Sequence, residues 1–155
     1  DHLLNMPLDE FDLAIGLNLF GPFAACKFAI PHMDKRGGGS IINTASIRAM
    51  IGTSGADGYT SAKGGIVTLT RALAVQCAAK NIRVNAIAPG RFYSKMTEFL
   101  SSDQEAFEKE LKTIPMRRWG EATDIAGVAI MLASKAGAFI TGQIIPIDGG
   151  TSVVN

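Results

Sequence analysis

Ser40-Ile41-Ile42-Asn43-Thr44-Ala45-Ser46 and, one helix-length further on, Ile82-Arg83-Val84-Asn85-Ala86-Ile87-Ala88-Pro89-Gly90 decide the fold of this chain. Each is a short apolar run bounded by turn formers: Gly37-Gly38-Gly39 before the first, Pro89-Gly90 after the second. Between them residues 59 to 79, rich in Ala, Leu and Thr, read as a helix that Lys80-Asn81 closes. Strand, helix, strand is a parallel βαβ unit. Before this unit, residues 7 to 33 read as one long helix. Pro7 suits its first turn, Asp9, Glu10 and Asp12 complement its positive end, and Leu13, Leu17, Phe20, Ala24 and Phe28 recur at helical spacing. Pro22 is expected to kink it. After the unit, residues 91 to 118 are more polar, with a helix at 103 to 113 and a break at Pro115, and read as a lid. Residues 121 to 134 form a further helix and 142 to 148 a third strand. The expectation is a single α/β domain over residues 1–155, with about three parallel strands and flanking helices.

Composition narrows the function. The 155 residues are 47% hydrophobic and 19% charged, with 15 basic against 14 acidic side chains. Such a chain folds around a core of its own, and its near-neutral charge argues against nucleic-acid binding, which needs clustered Lys and Arg. The only basic pairs are Lys35-Arg36 and Arg117-Arg118. Cys26 and Cys77 are too few and too far apart for a disulfide framework or a zinc motif, which fits a reducing, cytoplasmic setting. His2 and His32 have no partners at ligand spacing, so no metal site is expected. Asn18, Pro22 and Lys27 interrupt the longest apolar stretch, Leu13 to Ile30, and no membrane span is expected.

The chemistry gathers around Ser46 and Tyr59-Thr60-Ser61-Ala62-Lys63. Residues four apart share a helix face, so the Tyr59 phenol and the Lys63 ammonium can enter one site. A nearby cation favours a phenolate and brings the phenol into the range of general acid–base work. Ser46, at the carboxyl end of a strand, lies where parallel sheets bind ligands, and could hydrogen-bond the same substrate oxygen. Taken singly, the Tyr-Lys pair is a common coincidence and Ser46 an ordinary strand-end residue. Their order and spacing, with Pro89-Gly90 after the next strand, raise them above that. A Ser-His-Asp triad fails because Ser46 lacks the G-x-S-x-G elbow.

In that order and spacing the sequence resembles the short-chain dehydrogenase/reductase family. The likeness runs through Asn18-Leu19-Phe20-Gly21, Ile41 to Ser46, Tyr59 to Gly65, Arg83 to Gly90, and Thr141-Gly142-Gln143 to Asp148-Gly149-Gly150. It implies a Rossmann-type doubly wound sheet, an NAD or NADP cofactor, and a catalytic tetrad of Asn18, Ser46, Tyr59 and Lys63. In the family the tyrosine protonates the carbonyl oxygen as hydride arrives, and the lysine holds the nicotinamide ribose. The serine polarises the carbonyl, and the asparagine holds a water that relays protons to the lysine. The resemblance also places Pro89, Gly90, Phe92 and Ser94 at the cofactor, Ser94 standing where a threonine is usual.

Within the family, residues 89–97, 114–120 and 145–150 look nearest to 3-oxoacyl reductases, including the type linked to rhamnolipid synthesis, with gluconate 5-dehydrogenases as rivals. Enoyl-thioester reductases of the divergent type are disfavoured, since they place six residues, not three, between tyrosine and lysine. The family pairs the helices expected at 7–33 and 59–79 across a dimer, often within a tetramer. A non-catalytic protein that keeps only these assembly helices is the alternative. The family's Gly-rich cofactor turn has no counterpart here, so the sequence is expected to be the carboxyl-terminal part of such an enzyme, acting on a small carbonyl or alcohol substrate.

Overall fold

The computed structural model describes residues 2–52, 55, 57–95, 97 and 104–154. Its elements are α1 (His2–Asn5), α2 (Leu8–Ile15), a π turn (Gly16–Phe20), α3 (Gly21–Lys35), β1 (Gly39–Thr44), α4 (Asp57–Cys77), β2 (Ile82–Pro89), α5 (Gln104–Thr113), α6 (Ala122–Ala133) and β3 (Ile144–Ile147). Residues 53, 54 and 56, part of the expected lid (96 and 98–103) and the first residue of the helix expected at 103 lie outside the described residues.

The strands form one parallel sheet in the order β1-β2-β3. Gly39 pairs with Ile82, Thr44 with Ile87, and Ala86 with Ile144. Alternation along β2 explains how the two faces are covered. Ile82, Val84, Ala86 and Ala88 pack into clusters with Ile66, Ala74 and Cys77 of α4. Arg83 and Asn85 point the other way. The Arg83 guanidinium donates to the Leu132 carbonyl at the end of α6 at 2.7 Å. The Asn85 side chain donates to the Ile140 carbonyl at 2.9 Å and accepts from the Gln143 N–H at 3.0 Å. The sheet is therefore covered by α4 on one face and α6 on the other, and the buried polar residues of β2 tie down the chain entering β3.

Two turns follow from residue type. Gly37 and Gly38 (φ 83° and 138°) join α3 to β1, and a Cβ on Gly38 would lie 2.5 Å from the Asn81 carbonyl oxygen. Asn81 itself is left-handed (φ 55°) and closes the turn after α4.

The first long helix differs from expectation. It runs without interruption from Leu8 to Lys35, and it contains a π turn, Gly16–Phe20, directly before Gly21-Pro22. The Gly21 N–H reaches back to the Gly16 carbonyl, and Pro22 follows as the second residue of α3. Pro31 is accommodated inside α3. By length and composition Leu8–Lys35 is also the one helical run among the described residues able to cross a membrane, its most apolar 18-residue window having a mean hydropathy of 1.6. One side packs on α4: a Cβ on Gly65 would lie 2.7 Å from Leu19, and one on Gly58 would lie 3.0 Å from Ala14. The other side leaves Leu13, Leu17, Phe20 and Phe28 exposed.

Candidate active site

Tyr59 and Lys63 sit one turn apart on α4, which is held against β2 by Ile66 and against the π turn by Gly65. The Lys63 Nζ lies 5.5 Å from the centre of the Tyr59 ring. Lys63 is 8% exposed, and its ammonium donates to the Thr44 carbonyl at the end of β1 at 2.8 Å. No carboxylate pairs with it among the described residues. Burial therefore pushes its pKa below the ordinary lysine value. An ammonium carries three protons, so two remain uncommitted. These are what the ribose hydroxyls of a dinucleotide would require, and the Tyr59 hydroxyl likewise has no partner among the described residues.

Asn18 occupies the middle of the π turn and donates its side-chain amide to the Ala14 carbonyl at 3.1 Å. It lines, with Lys63, Thr44, Asn43 and Cys26, a groove of about 390 Å³ between α3 and β1. That volume holds several waters. Ser46 lies two residues past the end of β1 and is 7% exposed. It stands two residues beyond the Thr44 carbonyl that anchors Lys63, and it begins a single 3-10 turn, Ile47–Ala49.

The four residues expected at the cofactor lie in one loop. Pro89 ends β2 opposite Ile147, and the Gly90 N–H donates to the Ile147 carbonyl at 2.9 Å. A Cβ on Gly90 would lie 2.7 Å from the Cβ of Asp148, so only glycine passes there without displacing the end of β3. Phe92 forms an isolated parallel bridge with Gly120. The bridge uses the Tyr93 N–H and the Arg91 carbonyl, and leaves the Phe92 N–H without a partner among the described residues. Ser94 is exposed, and its hydroxyl lies 3.2 Å from that of Thr97.

Three features here escape sequence reasoning. Thr97, not Ser94, is the hub of the loop: its Oγ1 accepts from the Ser94 N–H and donates to the Phe92 carbonyl. A second hydroxyl residue three positions after Ser94 was the available signal. The Thr44 anchor is a backbone carbonyl, which no residue type announces. The segment expected to be a lid is held by an Arg91–Glu110 ion pair at 2.7 Å and by Tyr93, Phe107 and Trp119, whose rings stand 5.3–6.3 Å apart in a tilted trio. Arg118 pairs with Asp124 at 2.7 Å, and Asp124 also receives the Glu121 N–H, closing a capping box at the start of α6. Both contacts hold the Asp124 carboxyl well below the usual carboxylate range.

Known proteins resemble the chain in sequence and in fold. The family model described as enoyl-(acyl carrier protein) reductase matches residues 1–152. A 3-oxoacyl-[acyl-carrier-protein] reductase of Chlamydia pneumoniae is 43% identical over 148 residues, which cover 96% of this chain and 59% of that protein. The crystal structure of a gluconate 5-dehydrogenase from Burkholderia cenocepacia J2315, in complex with NADP and tartrate, superposes with a TM-score of 0.95 at 30% identity, covering 100% of this chain and 61% of that one. A short-chain type dehydrogenase/reductase from Mycobacterium ulcerans gives 0.91 at 29%, covering 95% and 54%. The chain thus spans between half and two thirds of the length of these relatives. With its parallel sheet, its Tyr-Lys helix and its Pro-Gly loop, it belongs to the short-chain dehydrogenase/reductase family.

Proposed function

We propose that this sequence carries the catalytic part of an NAD(P)-dependent oxidoreductase that interconverts a carbonyl and a secondary alcohol, with 3-oxoacyl thioesters as its substrate class. The observation that carries the reading is the buried Lys63 ammonium, fixed by the Thr44 carbonyl and standing 5.5 Å from the Tyr59 ring with two protons to spare.

Reducing a carbonyl adds a hydride to carbon and a proton to oxygen. The nicotinamide, when bound, supplies the hydride and is oxidised. Tyr59 delivers the proton from its hydroxyl, and Ser46 donates a hydrogen bond to the same oxygen. Lys63 holds the ribose with its free protons and favours the phenolate left on Tyr59. Asn18, across the groove, supports a water that returns a proton to Lys63. Pro89, at the end of β2, and Gly90, Phe92 and Ser94 after it would help hold the nicotinamide, and the unpartnered Phe92 N–H would suit its carboxamide.

Similarity to the Chlamydia pneumoniae reductase favours 3-oxoacyl thioesters. Similarity to the gluconate 5-dehydrogenase favours, as a second reading, a sugar acid. The three-residue Tyr59–Lys63 interval argues against an enoyl substrate. Steady-state rates with a 3-oxoacyl thioester, a 5-oxo sugar acid and an enoyl thioester separate them. The first is expected to give the highest kcat/KM, and exclusive enoyl reduction would refute the reading.

The exposed stripe of Leu13, Leu17, Phe20 and Phe28 supports a second copy of the chain as partner. Leu17→Glu with Phe20→Glu is expected to halve the mass measured by light scattering without lowering helix content. An unchanged mass would place the subunit contact elsewhere.

A further inference from the structure

The turn after β1 contains a hydrogen bond that the mechanism above does not use. Ser46 is extended (φ −163°, ψ 154°), and its Oγ accepts from the backbone N–H of Arg48 at 3.2 Å. The backbone around it is fixed on both sides. The Ala45 N–H donates to the Ile87 carbonyl of β2 at 2.8 Å, and the Ser46 carbonyl accepts from the Ala49 N–H at 3.0 Å. At 7% exposure the hydroxyl has little water to bond instead.

A hydroxyl has one proton to give and two lone pairs with which to accept. With one lone pair committed to the Arg48 amide, and no acceptor for the Ser46 proton among the described residues, that proton is left for the substrate. Accepting a hydrogen bond also polarises the O–H and strengthens the bond it donates. We infer that the Arg48 backbone N–H is a positioning group that holds the Ser46 hydroxyl as a donor toward the substrate carbonyl oxygen, an inference that rests on the reductase reading. The Arg48 side chain is not part of the device: it makes no hydrogen bond or ion pair among the described residues.

The role separates from a structural one by deleting the N–H and the side chain independently. Arg48→Pro removes the N–H in a first-turn position where proline is tolerated, and Arg48→Ala keeps it. In the catalytically competent protein, Arg48→Pro is expected to lower kcat for carbonyl reduction about ten-fold with cofactor KM unchanged, while Arg48→Ala stays near parental. Equal rates in the two variants would overturn the inference. Should proline disturb the turn, the α-hydroxy analogue of arginine at position 48 deletes the same N–H and preserves the backbone path.

Amide hydrogen exchange reads the bond without substrate. The Arg48 amide is expected to be protected in the parent and in Ser46→Thr, and to exchange freely in Ser46→Ala. Free exchange in the parent would overturn the inference directly. A protected amide in a parent without carbonyl reduction would instead refute the reductase reading, and with it the role given to the bond.

Discussion

Tyr59→Phe is expected to cut carbonyl reduction roughly 10²–10⁴-fold while leaving folding and cofactor affinity close to parental. The substitution deletes one oxygen. That oxygen bonds to nothing among the described residues, so its loss strands no buried partner, and the ring stays 5.5 Å from Lys63. What disappears, in the proposed mechanism, is the proton donor at the substrate oxygen. Steady-state kinetics, a thermal melt and a cofactor titration on the same preparation read the three quantities. A variant that turns over at near-parental rate would remove Tyr59 from the chemistry, and one that fails to fold would show that its hydroxyl is structural.

Lys63→Met is expected to lower turnover by a similar factor for a different reason, and to leave a different signature. Methionine approximates the lysine stem but supplies neither the charge beside the phenol nor the donors for the ribose, so kcat should fall and cofactor KM should rise together. Stability should change little. Burying the ammonium disfavours the folded state, and its folded pKa lies below the ordinary lysine value. That cost is fully present at neutral pH, and it shrinks as pH rises through the lowered pKa toward the ordinary one. Removing the charge relieves it, but leaves the Thr44 carbonyl without its donor, a loss of about 1–3 kcal/mol. The two offset each other. The melting temperature of Lys63→Met relative to the parent should therefore be highest near neutrality and decline in alkaline buffer. In the parent, activity should fail on the alkaline side at a lower pH than an exposed lysine would allow. A pH-independent stability difference would show that Lys63 is not charged in the folded protein.

The strands were legible in the sequence because their β-branched runs are short and have glycine or proline at a boundary. Their predicted bounds differ from the observed ones by one or two residues. The polar members of β2 carry the less obvious message. Arg83 and Asn85 alternate with apolar residues because each reaches backbone groups at the start or end of the β3 connection. Tyr59 and Lys63 could be paired from spacing alone, since a helix fixes what lies four residues on. The π turn was not legible. Proline is the loudest local signal in that helix, whereas the irregularity arises where Gly16 and Gly21 permit a wider turn around Asn18. The Thr44 anchor for Lys63 and the Arg48 amide on Ser46 were invisible for a simpler reason: every residue but proline has the same backbone groups, and only the fold chooses which of them meets a side chain.

The central claim is that this site adds hydride to a carbonyl carbon. It is tested most directly by running the reaction with a 3-oxoacyl thioester and reduced cofactor deuterated at the transferring position of the nicotinamide ring. The account predicts a 3-hydroxyacyl product with one deuterium on the carbinol carbon, formed by the parent and reduced roughly 10²–10⁴-fold in Tyr59→Phe. A product without deuterium at that carbon, or label delivered only to the alkene carbon of an enoyl thioester, would contradict it.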